Sequence, residues 1–136
     1  MQGRLTAYLA LPVSWVAASD VASGSIAALD RGIPGARYWL TGRPEDEIST
    51  AAGCNLACEI AGVEYRVEDL DHRTAPRAEL DAFGPTLYAI AEAAANDVRP
   101  IRVGENPTHR QLGYDPMSLD DGLGLLIPWL SGLDRL

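Results

Sequence analysis

Apolar positions come in short runs, separated by Gly, Pro and acidic residues, and their spacing changes along the chain. Residues 11–17 (LPVSWVA) follow a proline-led, β-branched and aromatic pattern that suits a short strand. Ser19 and Asp20 then offer side-chain oxygens ahead of Val21, Ala22, Ile26, Ala27 and Leu29, which fall at helical spacing up to Gly32 and Pro34. A helix is expected there, capped by Ser19 or Asp20. Residues 36–41 (ARYWLT) again read as a strand, which Gly42 ends together with Arg43 and Pro44.

Ser49 is placed to cap a helix over 50–61, with Gly62 just past its end. On a helical wheel Gly53, Cys54, Ala57, Cys58 and Ala61 form a side of small residues, and Ala52, Leu56 and Ile60 a bulkier apolar one. Only Asn55 and Glu59 leave a polar strip, so this helix should be covered on two sides. Residues 63–67 (VEYRV) alternate as a half-exposed strand does, and the polar stretch 68–76 follows.

Helical spacing returns at Leu80, Phe83, Leu87, Ile90, Ala91 and Ala94, interrupted by Gly84 and Pro85. A kink is expected, or two helices with Pro85 opening the second. Residues 99–103 fit a short edge strand, and Ser118 with Asp121 forms a capping box for a last helix over 118–130 that Pro128 should bend or end. The alternation of strands and helices predicts an α/β (α+β) chain, a small mixed sheet with packed helices and too few strands for a full doubly wound fold.

Composition narrows the picture. A chain of 136 residues with 47% hydrophobic and 22% charged positions is expected to fold as a single domain over 1–136. Its net charge of -8 would repel a phosphate backbone or an anionic bilayer, so neither nucleic acid nor membrane is expected as a partner. No apolar run is long enough to span a bilayer, and no secretion-signal series is seen, which predicts a cytoplasmic protein. Cys54 and Cys58 read as small core residues. With His72 and His109 far away in sequence they make a poor zinc set, so no metal site is expected.

Candidate chemistry is sparse. A dinucleotide site needs a Gly-rich turn between a strand and a helix, where the backbone can approach a pyrophosphate. The glycines at 32–35 (GIPG) and 122–124 (GLG) lack that context, and no P-loop, G-x-S-x-G or H-E-x-x-H occurs. Glu45, Asp46 and Glu47 precede a helix, where the macrodipole favours negative charge. Glu64, Glu68, Asp69 and Asp71 with His72 and Arg73 combine carboxylates with an imidazole, and His72 is the better ligand candidate of the two histidines. His109, beside Arg110, reads as solvated.

Several stretches resemble a known family. Residues 5–8 (LTAY), 13–16 (VSWV), 19–22 (SDVA) and 31–42 (RGIPGARYWLTG) resemble the carboxyl-terminal, substrate-binding half of extended short-chain dehydrogenases. The similarity is to the NAD(P)-dependent epimerase/dehydratase family, dihydroflavonol-reductase-like proteins in particular, with NmrA-like proteins as close relatives. Residues 110–116 (RQLGYDP) and the following helix resemble that family's R-x-L-G-Y-x-P turn and closing helix. The resemblance is most specific over 13–42 and 110–130. Family members use a Gly-rich turn and a Tyr-x-x-x-Lys pair, in which the lysine lowers the tyrosine's pKa and holds the ribose, and this chain contains no lysine at all.

The resemblance therefore implies a substrate-binding portion that is not catalytically competent alone, binds no cofactor by itself, and meets NAD(P) only through a separate dinucleotide-binding half. Asp20 would cap the helix after the first strand, and Gly42 would end the second. Trp15, His72, Arg73 and Tyr88 are the candidates for facing a small-molecule ligand, chosen because they can stack or hydrogen-bond near loops and helix breaks. An apolar face left by a missing half should be covered by a homodimer, through the 50–61 or 80–94 helix, or by a complementing chain. The alternative is a noncatalytic small-ligand-binding or dimerising domain.

Overall fold

The computed structural model describes residues 5–96 and 107–133; the strand expected over 99–103 lies outside them. In order, the elements are β1 (Ala7–Leu9), β2 (Pro12–Ser14), α1 (Ala18–Arg31), a 3-10 turn (Pro44–Asp46), β3 (Glu47–Ser49), α2 (Thr50–Ile60), β4 (Glu68–Leu70), α3 (Arg77–Asp81), α4 (Gly84–Ala95), α5 (Thr108–Leu112) and α6 (Leu119–Leu133). This is an α+β fold. Instead of one mixed sheet, β1 pairs with β4 and β2 with β3 in separate two-stranded sheets. By its internal contacts the chain falls into two compact units, one of Met1–Val13 with Ile48–Pro100 and one of Ser14–Glu47 with Ile101–Leu136.

In the first unit β1 and β4 run parallel, Leu9 opposite Leu70, and α2 packs on both strands. Ser49 caps α2 as expected, its Oγ accepting the Ala52 N–H at 3.0 Å. At the other end Gly62 has φ +66, and the N–H groups of Gly62 and Val63 return to Glu59 O and Cys58 O, the paired bonds of a Schellman stop. The expected strand over 63–67 does not form. Asn55 on α2 clasps Val67 instead, its Oδ1 accepting the Val67 N–H at 2.8 Å and its Nδ2 donating to Val67 O at 3.0 Å, so the pairing segment starts one residue later. Leu9, Leu11, Leu80 and Ala91 form the buried core, with Tyr8 set edge-on to Phe83 at 5.4 Å. Gly84, at φ +75, separates α3 from α4 and leaves Pro85 in the first turn of the second helix.

The second unit is built around α1, α5 and α6. Ala27, Leu112 and Tyr114 form its core, with Ala28, Tyr38 and Leu40 packed around them. Gly24 lets that core close, because a Cβ there would stand 2.5 Å from Leu40 Cδ2 and 3.0 Å from the Tyr114 ring. Residues 36–41 are not a strand. Their backbone finds side chains rather than a neighbouring strand: Trp39 N–H donates to Thr108 Oγ1 at 2.9 Å, and the buried Gly42 donates its N–H to Ser14 Oγ at 3.0 Å. Arg31 donates to Leu112 O, and Gly113, at φ +59, ends α5. The Ser118 and Asp121 box opens α6 as expected, and the helix continues through Pro128 to Leu133.

Candidate functional site

Asp20 is not a helix cap. Ala17 holds the cap position of α1 without a side-chain bond, and Asp20 sits in the first turn with its carboxylate turned to Met117, whose N–H it accepts at 3.0 Å. Asp46 acts similarly toward α6, accepting the Leu119 N–H at 2.8 Å, so part of the acidic 45–47 cluster stabilises a helix far along the chain rather than the adjacent one. Arg43 Nε donates to Pro116 O at 2.8 Å. These bonds hold residues 116–119 against the segments around α1, and a hollow opens beside them.

The hollow has a volume of about 320 Å³ and lies between residues 15–18, led by Trp15, and the start of α6. Met117, Leu119, Gly122, Leu123 and Leu126 form the opposite wall. No charged side chain lines it, and the one lining hydroxyl, that of Ser118, is engaged with Asp121 at 2.7 Å. Neighbouring N–H groups of Met117, Leu119 and Asp121 already have carboxylate or hydroxyl acceptors. The walls therefore present carbon, sulfur and indole surface, of a volume within the range of small-molecule sites. A broader depression of about 610 Å³ along α1 is bordered by Leu29, which is 87% exposed, and would leave a ligand largely in water.

Of the four residues expected to face a ligand, Trp15 lies in the second unit, whereas His72, Arg73 and Tyr88 lie in the first. His72 sits 3.6 Å from the Asp71 carboxylate with its side chain 12% exposed, and its ring meets Tyr88 edge-on at 6.1 Å. Arg73 is exposed in the turn, its N–H donating to Asp71 Oδ1 at 2.9 Å. Tyr88 borders a small hollow of about 170 Å³ beneath Arg77, whose guanidinium lies 5.2 Å from the ring centre and pairs with Asp81 at 2.8 Å. That hollow is smaller than ordinary ligand sites, and its cation is already neutralised. His109 is not solvated: it is half-buried, 3.2 Å from Thr41 Oγ1 and edge-on to Tyr114.

Sequence reasoning missed Met117, Gly122, Leu123 and Leu126. Their one signal is their position at the start of a capped amphipathic helix, which also describes any buried helix end. Cys54 and Cys58 are both reduced and half-buried, and burial, aided by Cys58, pushes the Cys54 thiol above its usual 9.0. Among the described residues no group of three or more His, Cys, Asp or Glu side chains could hold a metal. The described glycines with positive φ (Gly35, Gly62, Gly84 and Gly113) each follow a helix or a loop, and none joins a strand to a helix. Among the described residues, then, no glycine of positive φ stands at the strand-to-helix turn where a backbone approaches a pyrophosphate. Among them, no helix is long and apolar enough to cross a membrane.

No family model matches the sequence, and no curated protein does. A solved structure, the crystal structure of gox2253, is similar in fold, with a TM-score of 0.64 and 24% identity, covering 96% of this chain and 40% of that one. The chain thus spans two fifths of that protein's length, and the likeness is one of fold.

Proposed function

We propose that this chain is the substrate-binding portion of an NAD(P)-dependent epimerase/dehydratase-like protein of the extended short-chain dehydrogenase type, without hydride or proton transfer of its own. One observation carries the reading: the two stretches that most resemble the family, 13–42 and 110–130, lie far apart in sequence, yet from Ser14 onward they fold together into the second unit and wall the 320 Å³ hollow. Catalysis would require a partner bearing the Gly-rich turn and the Tyr-x-x-x-Lys pair, in the cytoplasm. The chain alone should show no NADPH affinity in calorimetry and no carbonyl reduction. Joined to a dinucleotide-binding half of this family it should gain NADPH-dependent turnover of a carbonyl substrate. Low-micromolar NADPH binding by the isolated chain, or a joined protein that folds and stays inert on a broad carbonyl panel, overturns the reading.

A second reading, a noncatalytic dimerising domain, is favoured by α6. Leu125, Trp129 and Leu133 form one exposed row and Leu126 with Leu130 another, and Trp129 is 61% exposed. Leu29 and Ile33 are exposed at the end of α1 and just beyond it. This reading places the contact on α6 rather than on the 50–61 or 80–94 helix, since α2 shows no large exposed apolar residue and α4 shows Ile90. A symmetric dimer through α6 would give a doubled mass in sedimentation that Trp129→Glu returns to the monomer value. A monomer at all concentrations would reject it.

A further inference from the structure

Two buried or half-buried helical glycines of the second unit differ in what a side chain would meet. At Gly24 a Cβ would collide with Leu40 and Tyr114, so packing demands glycine. At Gly122 a Cβ would meet only Met117 Sδ at 3.7 Å and Cγ at 3.9 Å, an ordinary contact, although glycine is the poorest helix former after proline. Neither backbone angle nor packing requires glycine at 122, and the space that a larger side chain would take is the hollow beside Trp15 and Met117. Its volume of about 320 Å³ corresponds to roughly ten water volumes.

We propose that the hollow between residues 15–18 and α6 binds a neutral apolar ring group of roughly ten heavy atoms, and that Gly122 sets its depth. This rests on the substrate-binding reading and names the class of substrate. Charge decides the class. No charged side chain lines the walls, while Asp20 and Asp46 hold carboxylates at the backbone bordering it, so an anionic ligand would lose its water without gaining a partner. An uncharged ring gains contact with Trp15 and the Met117 thioether, a sulfur suited to aromatic edges.

Met117 provides the readout, because the chain has 2 methionines and the other is Met1. The full chain, labelled with ¹³C at the methionine methyls, is titrated with 1-indanone and separately with indane-1-carboxylate. The expected result is a saturable shift of the Met117 methyl with indanone, at least tenfold weaker with the carboxylate, and at least tenfold weaker for indanone in Gly122→Leu. Leu126→Trp, at a position already 43% exposed, narrows the rim and serves where Gly122→Leu does not fold. No shift at millimolar indanone, equal binding of the anion, or unchanged affinity in the folded variants overturns the proposal. A Met117 signal that moves with protein concentration alone would put a second copy of the chain in the hollow and overturns it too. Because the titration needs no dinucleotide-binding half, indanone binding with failed turnover rejects only the dehydrogenase reading, and turnover without a Met117 response rejects only this site.

Discussion

The Asp20 carboxylate and the Met117 N–H it accepts are 97 residues apart, so losing that bond separates the 116–119 segment from α1. Asp20→Ala is expected to lower stability by about 1.5–3 kcal/mol, the range for a hydrogen bond to a charged group, and Asp20→Asn, which keeps an acceptor, by less; urea melts compare them. Gly42→Ala should cost about 3 kcal/mol or more, because a Cβ would overlap the Trp15 carbonyl oxygen. The Tyr114 hydroxyl is buried with no hydrogen-bond partner among the described residues, and burial, then Asp20, pushes its pKa above the usual 10.0. Its folded pKa exceeds the unfolded one, so its contribution is complete below the unfolded value and is lost as pH rises through the folded one. Tyr114→Phe should therefore raise stability by about 1 kcal/mol near neutrality, and the gap from the parent chain should widen in melts above about pH 10.

Helices were legible where a side chain marks their ends. Ser49, and Ser118 with Asp121, open α2 and α6 at the expected residues, and Gly32 and Gly62 stand just past the ends of α1 and α2. Among the strands β2 was legible, inside the run expected over 11–17, whereas β1, β3 and β4 were not, because each has three residues and finds its partner far along the chain. The aromatic run at 36–41 has strand-like composition, but Trp39 spends its N–H on Thr108, and Gly42 just past the run spends its own on Ser14. No periodicity reveals a hydroxyl placed 69 residues away. At the candidate site Trp15 could be found as an aromatic beside a helix start, whereas its opposite wall depends on tertiary packing. Ser118→Ala should destabilise by about 0.5–2 kcal/mol. Gly124→Ala should stabilise by roughly 0.8–1 kcal/mol, since a Cβ there meets nothing within 4 Å; thermal melts of both variants check the signs.

At the scale of the molecule, all 3 tryptophans (Trp15, Trp39 and Trp129) belong to the second unit, so indole fluorescence reports that unit alone while far-ultraviolet circular dichroism reports both. Each unit has its own buried cluster. We expect the two signals to give different urea midpoints, the mark of departure from two-state unfolding; coincident curves would show a single cooperative body. The order in which the chain is made adds a consequence. Residues 14–47 leave the ribosome well before the groups that complete their unit, which arrive with Thr108, Leu112 and residues 116–119. At about 5–20 residues per second the wait from residue 47 to residue 119 is roughly 4–14 s. Throughout that interval a nascent segment carrying Trp15, Trp39 and Leu40 has no completed core to enter, which makes it the part of this protein most in need of a holding chaperone during translation.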